Sequence, residues 1–123
     1  MKLWLDDLRD PLTFGAGFVV PNRAVRVLMK HGRDGWIWVK TVPEAKAILE
    51  KGGIDVLSCD NDLGSGLQEG YQLLDWLEEK AFEGSFPIPE HIYVHSDDMA
   101  KLEPMQQTIH NIRRFQERHK QGG

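Results

Sequence analysis

Three acidic clusters recur along the chain: Leu5-Asp6-Asp7, Asp60-Asn61-Asp62 and His95-Ser96-Asp97-Asp98. Each follows a short run of β-branched and apolar residues, the kind of segment that forms a strand. If those strands lie parallel in one sheet, the clusters gather at a single edge, and several carboxylates share a crevice with one imidazole. Carboxylates held that close repel one another in a partly dry site, and a divalent cation is the simplest partner that keeps them together. The expected chemistry is therefore metal-dependent handling of a phosphate, with a divalent ion such as Mg²⁺ or Mn²⁺ held among the carboxylates.

The remaining residues of the clusters extend this reading. Asp60 and Asp62 follow the most hydrophobic run, and the Leu63-Gly64-Ser65-Gly66 segment after them offers backbone amides to an anion. His95 is placed to act as general acid or base near neutral pH. Ser96 and Asn61 can hydrogen-bond phosphate oxygens, and Arg9 can pair with them. Catalytic roles fall to His95, Asp60 and Asp62, and substrate binding to Arg9, Asn61 and Ser96. Cys59 adjoins Asp60 but sits in an apolar run, where burial and nearby carboxylates suppress its thiolate, so it reads as a small core residue. No zinc pattern, phosphate-binding P-loop or dinucleotide fingerprint is present. His31, His91, His110 and His119 fall in helical or boundary contexts and receive no chemistry.

The elements that position these residues follow from periodicity. Strands are expected at Lys2 to Leu5, Trp36 to Lys40, Ile54 to Cys59 and Ile92 to His95, each apolar on both faces, as in a parallel sheet covered on both sides. Between them, Asn22 is expected to cap a short helix bearing Val25, Leu28 and Met29, which Gly32 ends. Thr41 and Glu44 have the spacing of a capping box before a stripe of Val42, Ala45, Ile48 and Leu49. Leu73, Leu74, Leu77 and Ala81 repeat at helical spacing from about Glu69 to Phe82, and Met105, Ile109, Ile112 and Phe115 mark a last helix. Pro104 places the start of that helix near Glu103, because proline is tolerated in a first turn. The tryptophans fall on strands and a helix, and core packing accounts for them. Strand and helix alternating four times specify a three-layer α/β domain over residues 1–123, with right-handed crossovers and the ligand at the carboxyl ends of the strands.

Composition narrows the class. With 123 residues, 41% of them hydrophobic and 28% charged, the chain supports a single core. The lone cysteine rules out an intramolecular disulfide framework, and no apolar run approaches the roughly 20 residues that cross a bilayer. No signal-like segment opens the chain, and a cytoplasmic location without membrane contact is the expectation. The net charge of −4 is segregated: residues 1–40 are basic on balance, 41–103 acidic, and 104–123 basic again. Basic segments flanking an acidic metal site suit a phosphorylated ligand.

Taken in order, Lys2-Leu3-Trp4-Leu5-Asp6-Asp7-Leu8-Arg9, Val39-Lys40-Thr41-Val42-Pro43-Glu44-Ala45, Asp60-Asn61-Asp62-Leu63-Gly64 with Gly70-Tyr71, and Val94-His95-Ser96 resemble the cyclic-phosphate-processing receiver-like domains, offshoots of the response-regulator receiver fold. The resemblance covers residues 1 to about 112. It implies a receiver-like (flavodoxin-like) sandwich with a short, mostly parallel sheet of about four strands, truncated relative to a full receiver. It also implies an acidic metal pocket from Asp6, Asp7 and Asp60, and a hydrolase-type activity on cyclic phosphate ends of nucleotides or RNA, as in RNA processing. Two positions depart from the family pattern: Asn61 stands where a histidine is usual, and Asp98 where an asparagine is usual. The alternative implied by the same resemblance is a non-catalytic module that binds a phosphorylated ligand or acts in signalling.

Overall fold

A parallel sheet flanked by unequal helical layers carries the acidic clusters. The computed structural model describes residues 1–17, 22–61, 63, 69–96 and 99–122. The expected positions Asp62, Gly64 to Gly66, Asp97 and Asp98 lie outside the described residues. Strands β1 (Lys2–Leu5), β2 (Trp36–Val39), β3 (Val56–Cys59) and β4 (His91–Val94) alternate with helices α1 (Arg23–His31), α2 (Val42–Glu50), α3 (Gly70–Glu83) and α4 (Met99–Gly122). The order across the sheet is β2-β1-β3-β4, and every pairing is parallel. This is an α/β receiver-like fold, short relative to a full receiver.

The register explains the layering. Leu3 aligns with Ile37 and Leu57, and Leu57 with Ile92, while Leu5 aligns with Val39 and Cys59, and Cys59 with Val94. These side chains share one face and pack with Leu49 of α2, Leu73, Leu74 and Leu77 of α3, and Leu102, Met105 and Ile112 of α4. Trp4 and the residues aligned with it point the other way, where α1 is the one helix among the described residues that packs, through Ala24, Val27 and Leu28, with Phe14 beside it. The period of two along each strand thus separates a large three-helix core from a small one-helix core.

Local signals set the helix starts. The Asn22 side chain accepts a hydrogen bond from the Val25 amide at 3.0 Å and caps α1 as expected. The buried face of α1, however, is Ala24, Val25, Val27 and Leu28, and Met29 is exposed. Thr41 accepts from the Glu44 amide and donates its hydroxyl to the Glu44 carboxylate at 2.8 Å. Glu69 and Gln72 form a reciprocal capping box on α3 that the sequence reading did not single out. Strand ends differ by small shifts: β2 stops at Val39, β3 starts at Val56, and β4 spans His91–Val94.

The start of α4 is a correction. The helix begins at Met99 and runs through Pro104, where a start near Glu103 was expected. Leu102 supplies the reason: it is buried in the large core, and only a helix that extends ahead of the proline places it there. Burying a leucine contributes roughly 1.5–3 kcal/mol, the same order as the cost of a proline within a helix. Replacing Pro104 by alanine restores an amide donor to the second turn without touching Leu102. Urea unfolding of Pro104→Ala is expected to show a gain of about 1–3 kcal/mol; a loss of stability would mean that the ring itself is needed for packing.

Candidate acidic site at the carboxyl edge of the sheet

Strands β1, β3 and β4 hand their chain to the site by the same device. The amide of Asp6 continues the β1 ladder to the Val39 carbonyl at 3.0 Å, that of Asp60 reaches the Leu5 carbonyl at 2.9 Å, and that of His95 reaches the Cys59 carbonyl at 3.0 Å. The three residues therefore sit side by side just past the strand ends. They follow the parity of Trp4, Ser58 and Tyr93, so their side chains lie on the α1 side of the sheet.

Asp6 is the centre of this arrangement. Its side chain is almost fully enclosed, yet both oxygens are engaged. Oδ1 accepts from the amides of Leu8 at 2.9 Å and Arg9 at 3.0 Å, and Oδ2 lies 2.9 Å from His95 Nε2. Burial by itself pushes the Asp6 carboxyl up, but the hydrogen bond from His95, the two amides and the charge of the imidazole outweigh it, and the net displacement is downward from 3.8. An ionised carboxylate can only accept, so Nε2 of His95 carries a hydrogen and donates it to Oδ2.

His95 has no exposed surface. Its other ring nitrogen, Nδ1, lies 2.7 Å from the Ser58 hydroxyl, and its ring stacks on Trp4 with centroids 4.2 Å apart and planes 9° from parallel. The Trp4 indole donates to the Arg9 carbonyl at 2.9 Å, and that of Trp38 to the Asp6 carbonyl at 2.7 Å. Imidazole orientation is thus fixed on three sides. Any contact between His95 and a ligand requires one of these bonds to open.

Arg9 supplies the positive charge. Its guanidinium Nη1 lies 3.5 Å from Asp6 Oδ2 and 3.6 Å from Asp60 Oδ2, and the group packs over the Phe14 ring at 5.1 Å. Asp6, Asp7 and Asp60 each offer a carboxylate oxygen within 4.8 Å of the others. At an effective dielectric near 20, two charges at that spacing repel by roughly 3–4 kcal/mol, and a cation among them relieves that repulsion. Three hard oxygens fit a divalent ion of the Mg²⁺ or Mn²⁺ type. Arg9 already stands against two of the three.

The structure separates some residues that sequence grouped. Asn61 is buried, but its Oδ1 accepts from the Tyr71 amide at 3.0 Å and its carbonyl accepts from the Gly70 amide at 2.9 Å. Asn61 thus anchors the start of α3, and it lines a cleft with Tyr71, Lys101 and Thr108 instead of facing Asp6. Gly70 is required there, because a Cβ would overlap the Asp60 carbonyl oxygen. Ser96 is buried beside His95. Cys59 is buried, and burial, then the Asp60 charge, push its thiol up to about 12, which agrees with a core role. Asp7 is only half-buried and is the most accessible of the three carboxylates.

Sequence reasoning missed Ser58, Trp4 and Trp38 as parts of the site. Ser58 carried a usable signal, as a polar residue in an apolar strand two places before Asp60 and hence on the same face. Trp38 carried a weaker one: it was assigned to core packing but is one-third exposed, with its indole tied to the site.

A family model described as the cyclic-phosphate processing receiver domain matches residues 1–111. No curated protein and no solved structure matches the chain.

The lowered Asp6 carboxyl has a consequence for stability. A carboxylate whose folded value is depressed contributes stability above its unfolded value of 3.8, and that contribution is lost as the pH falls through the folded value. In chelator-treated protein, Asp6→Asn is expected to unfold about 2 kcal/mol more easily than wild type near pH 6, by analogy with charged hydrogen bonds. The gap should narrow below pH 3.8. Urea titrations at both pH values check this; a gap independent of pH would show that the ionised form is not what the fold favours.

Proposed function

The chain belongs to the cyclic-phosphate processing receiver domain family, and from that premise we propose that it is a metal-dependent phosphoesterase acting on cyclic phosphate ends of nucleotides or RNA. The observation that carries the reading is the convergence of Asp6, Asp7 and Asp60 oxygens within 4.8 Å at the carboxyl edge of the sheet. Asp6, Asp7 and Asp60 would hold Mg²⁺ or Mn²⁺, which when bound supplies Lewis-acid polarisation of a phosphoryl oxygen and a more acidic water.

The chain's own groups divide the remaining work. Arg9 lies against both buried carboxylates, and a guanidinium that turns from Asp60 to a phosphate exchanges one anionic partner for another without losing charge compensation. Ser96, next to His95, is the described hydroxyl nearest in sequence to that position. Opening a cyclic phosphate adds a water oxygen to phosphorus with loss of one water proton to solvent, breaks one bond from phosphorus to a ribose oxygen, and leaves that oxygen to take a proton from an acid that solvent then recharges. His95 holds such a proton at Nε2, 2.9 Å from Asp6 Oδ2, and must leave that carboxylate to deliver it. Ser58 and Trp4 fix the ring from which it leaves.

A second reading rests on a specific observation. The complete burial of His95, with both ring nitrogens engaged, also suits a module that binds a phosphorylated ligand without turning it over or that acts in signalling. The sheet ends at β4 among the described residues, so the lysine that follows a fifth strand in conventional receivers has no described counterpart. Among the described residues no helix is long and apolar enough to cross a membrane.

The two readings separate in a turnover assay with a 2′,3′-cyclic nucleotide and Mn²⁺. Hydrolysis by wild type that falls at least a hundredfold in both Asp60→Asn and His95→Gln, each still folded by circular dichroism, is the expected result. Binding without hydrolysis would transfer the case to the second reading. A labile mass adduct on Asp60 after incubation with acetyl phosphate and Mg²⁺ would do so as well.

A further inference from the structure

Away from the acidic edge, a groove of about 450 Å³ runs along the outer side of β4 between α1 and α4. None of Asp6, Asp7 or Asp60 lines it. Its α1 wall carries Arg23, Arg26 and Lys30, at helical spacings that put all three on one side of the helix. Helix α1 contains no acidic residue, and no described residue lining the groove is acidic. The opposite wall presents Ile109 of α4, and the floor is the edge of β4 at Ile92 and Val94.

The floor has a defined hydrogen-bonding character. The amides of His91 and His95 point to β3, reaching the carbonyls of Asp55 at 2.9 Å and Cys59 at 3.0 Å. Backbone groups alternate sides along a strand, so the amides and carbonyls of Ile92 and Val94 point away from β3 into the groove. β4 ends the sheet, and among the described residues no strand pairs with that side. An open strand edge is a template for another extended chain.

We infer that this groove docks an extended acidic peptide segment of a partner protein, which adds to β4 as a fifth strand. Three features select that occupant together. The edge of β4 asks for a backbone with its own amides and carbonyls. The cations of α1 ask for negative charge on one side of that backbone. Ile109 on the other wall asks for an apolar side chain. Because side chains alternate across a strand, the partner segment alternates acidic residues, facing α1, with apolar ones, facing α4. A nucleic acid strand would satisfy the cations but not the strand edge or the apolar wall. The docking is independent of cyclic phosphate chemistry, since it uses neither the carboxylates nor His95.

The test is selection from a random eight-residue peptide library displayed on phage, panned on the full chain and on its Arg23→Glu, Arg26→Glu, Lys30→Glu triple variant. Sequences alternating acidic and apolar residues should be enriched on wild type, and the best synthetic peptide should bind the triple variant at least tenfold more weakly. It should slow amide exchange at Ile92 and Val94. Backbone N-methylation of that peptide should abolish binding to wild type, a measurement that does not depend on the variant's folding. No enrichment, binding unchanged by charge reversal, or tolerance of N-methylation overturns the inference. So does tighter, charge-dependent binding in the same groove of a single-stranded oligouridylate that competes the peptide away.

Discussion

A carboxylate sealed from solvent governs the architecture of the sheet's edge. Asp6 can remain ionised there because the amides of Leu8 and Arg9 and the Arg9 guanidinium, from the adjoining turn, and His95, from the far end of the chain, converge on it. A buried charge without such partners costs several kcal/mol. Asp6 leaves β1, His95 leaves β4, and the ladder between them runs through β3, so the site closes only when the parallel sheet has formed in register. Trp4 and Ser58 extend the same dependence into the sheet by fixing the imidazole that serves Asp6. The small core on the α1 face is thus also the support of the site.

The same convergence determines how the site treats cations. Asp60 adds a second buried carboxylate, and Arg9 lies between the two at 3.5 and 3.6 Å. A guanidinium in that position and a divalent ion on the same oxygens answer the same electrostatic requirement. On the proposed function the two would compete, and a bound ion would free the guanidinium to meet the anion that accompanies it. The Arg9 backbone is held at both ends, its amide donating to Asp6 Oδ1 and its carbonyl accepting from the Trp4 indole, while its guanidinium packs over Phe14 and donates to the His95 carbonyl at 3.5 Å.

Much of this was legible in the sequence, for identifiable reasons. Parallel strands with apolar residues on both faces place every strand end at one edge, so the meeting of Asp6, Asp60 and His95 follows from the alternation of elements. Caps at Asn22 and Thr41 were readable because they depend on local spacing alone. The start of α4 was not, since the burial of Leu102 in the large core outweighs the local preference of Pro104. The orientation of Asn61 was hidden for a related reason: adjacent residues past a strand end diverge, and Asn61 turns to the amide of Tyr71 while Asp60 turns to Arg9. The engagement of both His95 nitrogens was also hidden, because it depends on Ser58 of β3 and Asp6 past β1 meeting the ring in three dimensions, with Trp4 stacked on its face. The open edge of β4 follows from the sheet order, which spacing along the chain does not specify.

The competition between Arg9 and a divalent ion for Asp6 and Asp60 is open to direct measurement by calorimetric titration of Mn²⁺ into wild type and Arg9→Ala. The account predicts one ion per chain in both proteins, with binding at least tenfold tighter once the guanidinium is removed, as expected for loss of a competing charge. Equal affinities, or no heat in either protein, would contradict it.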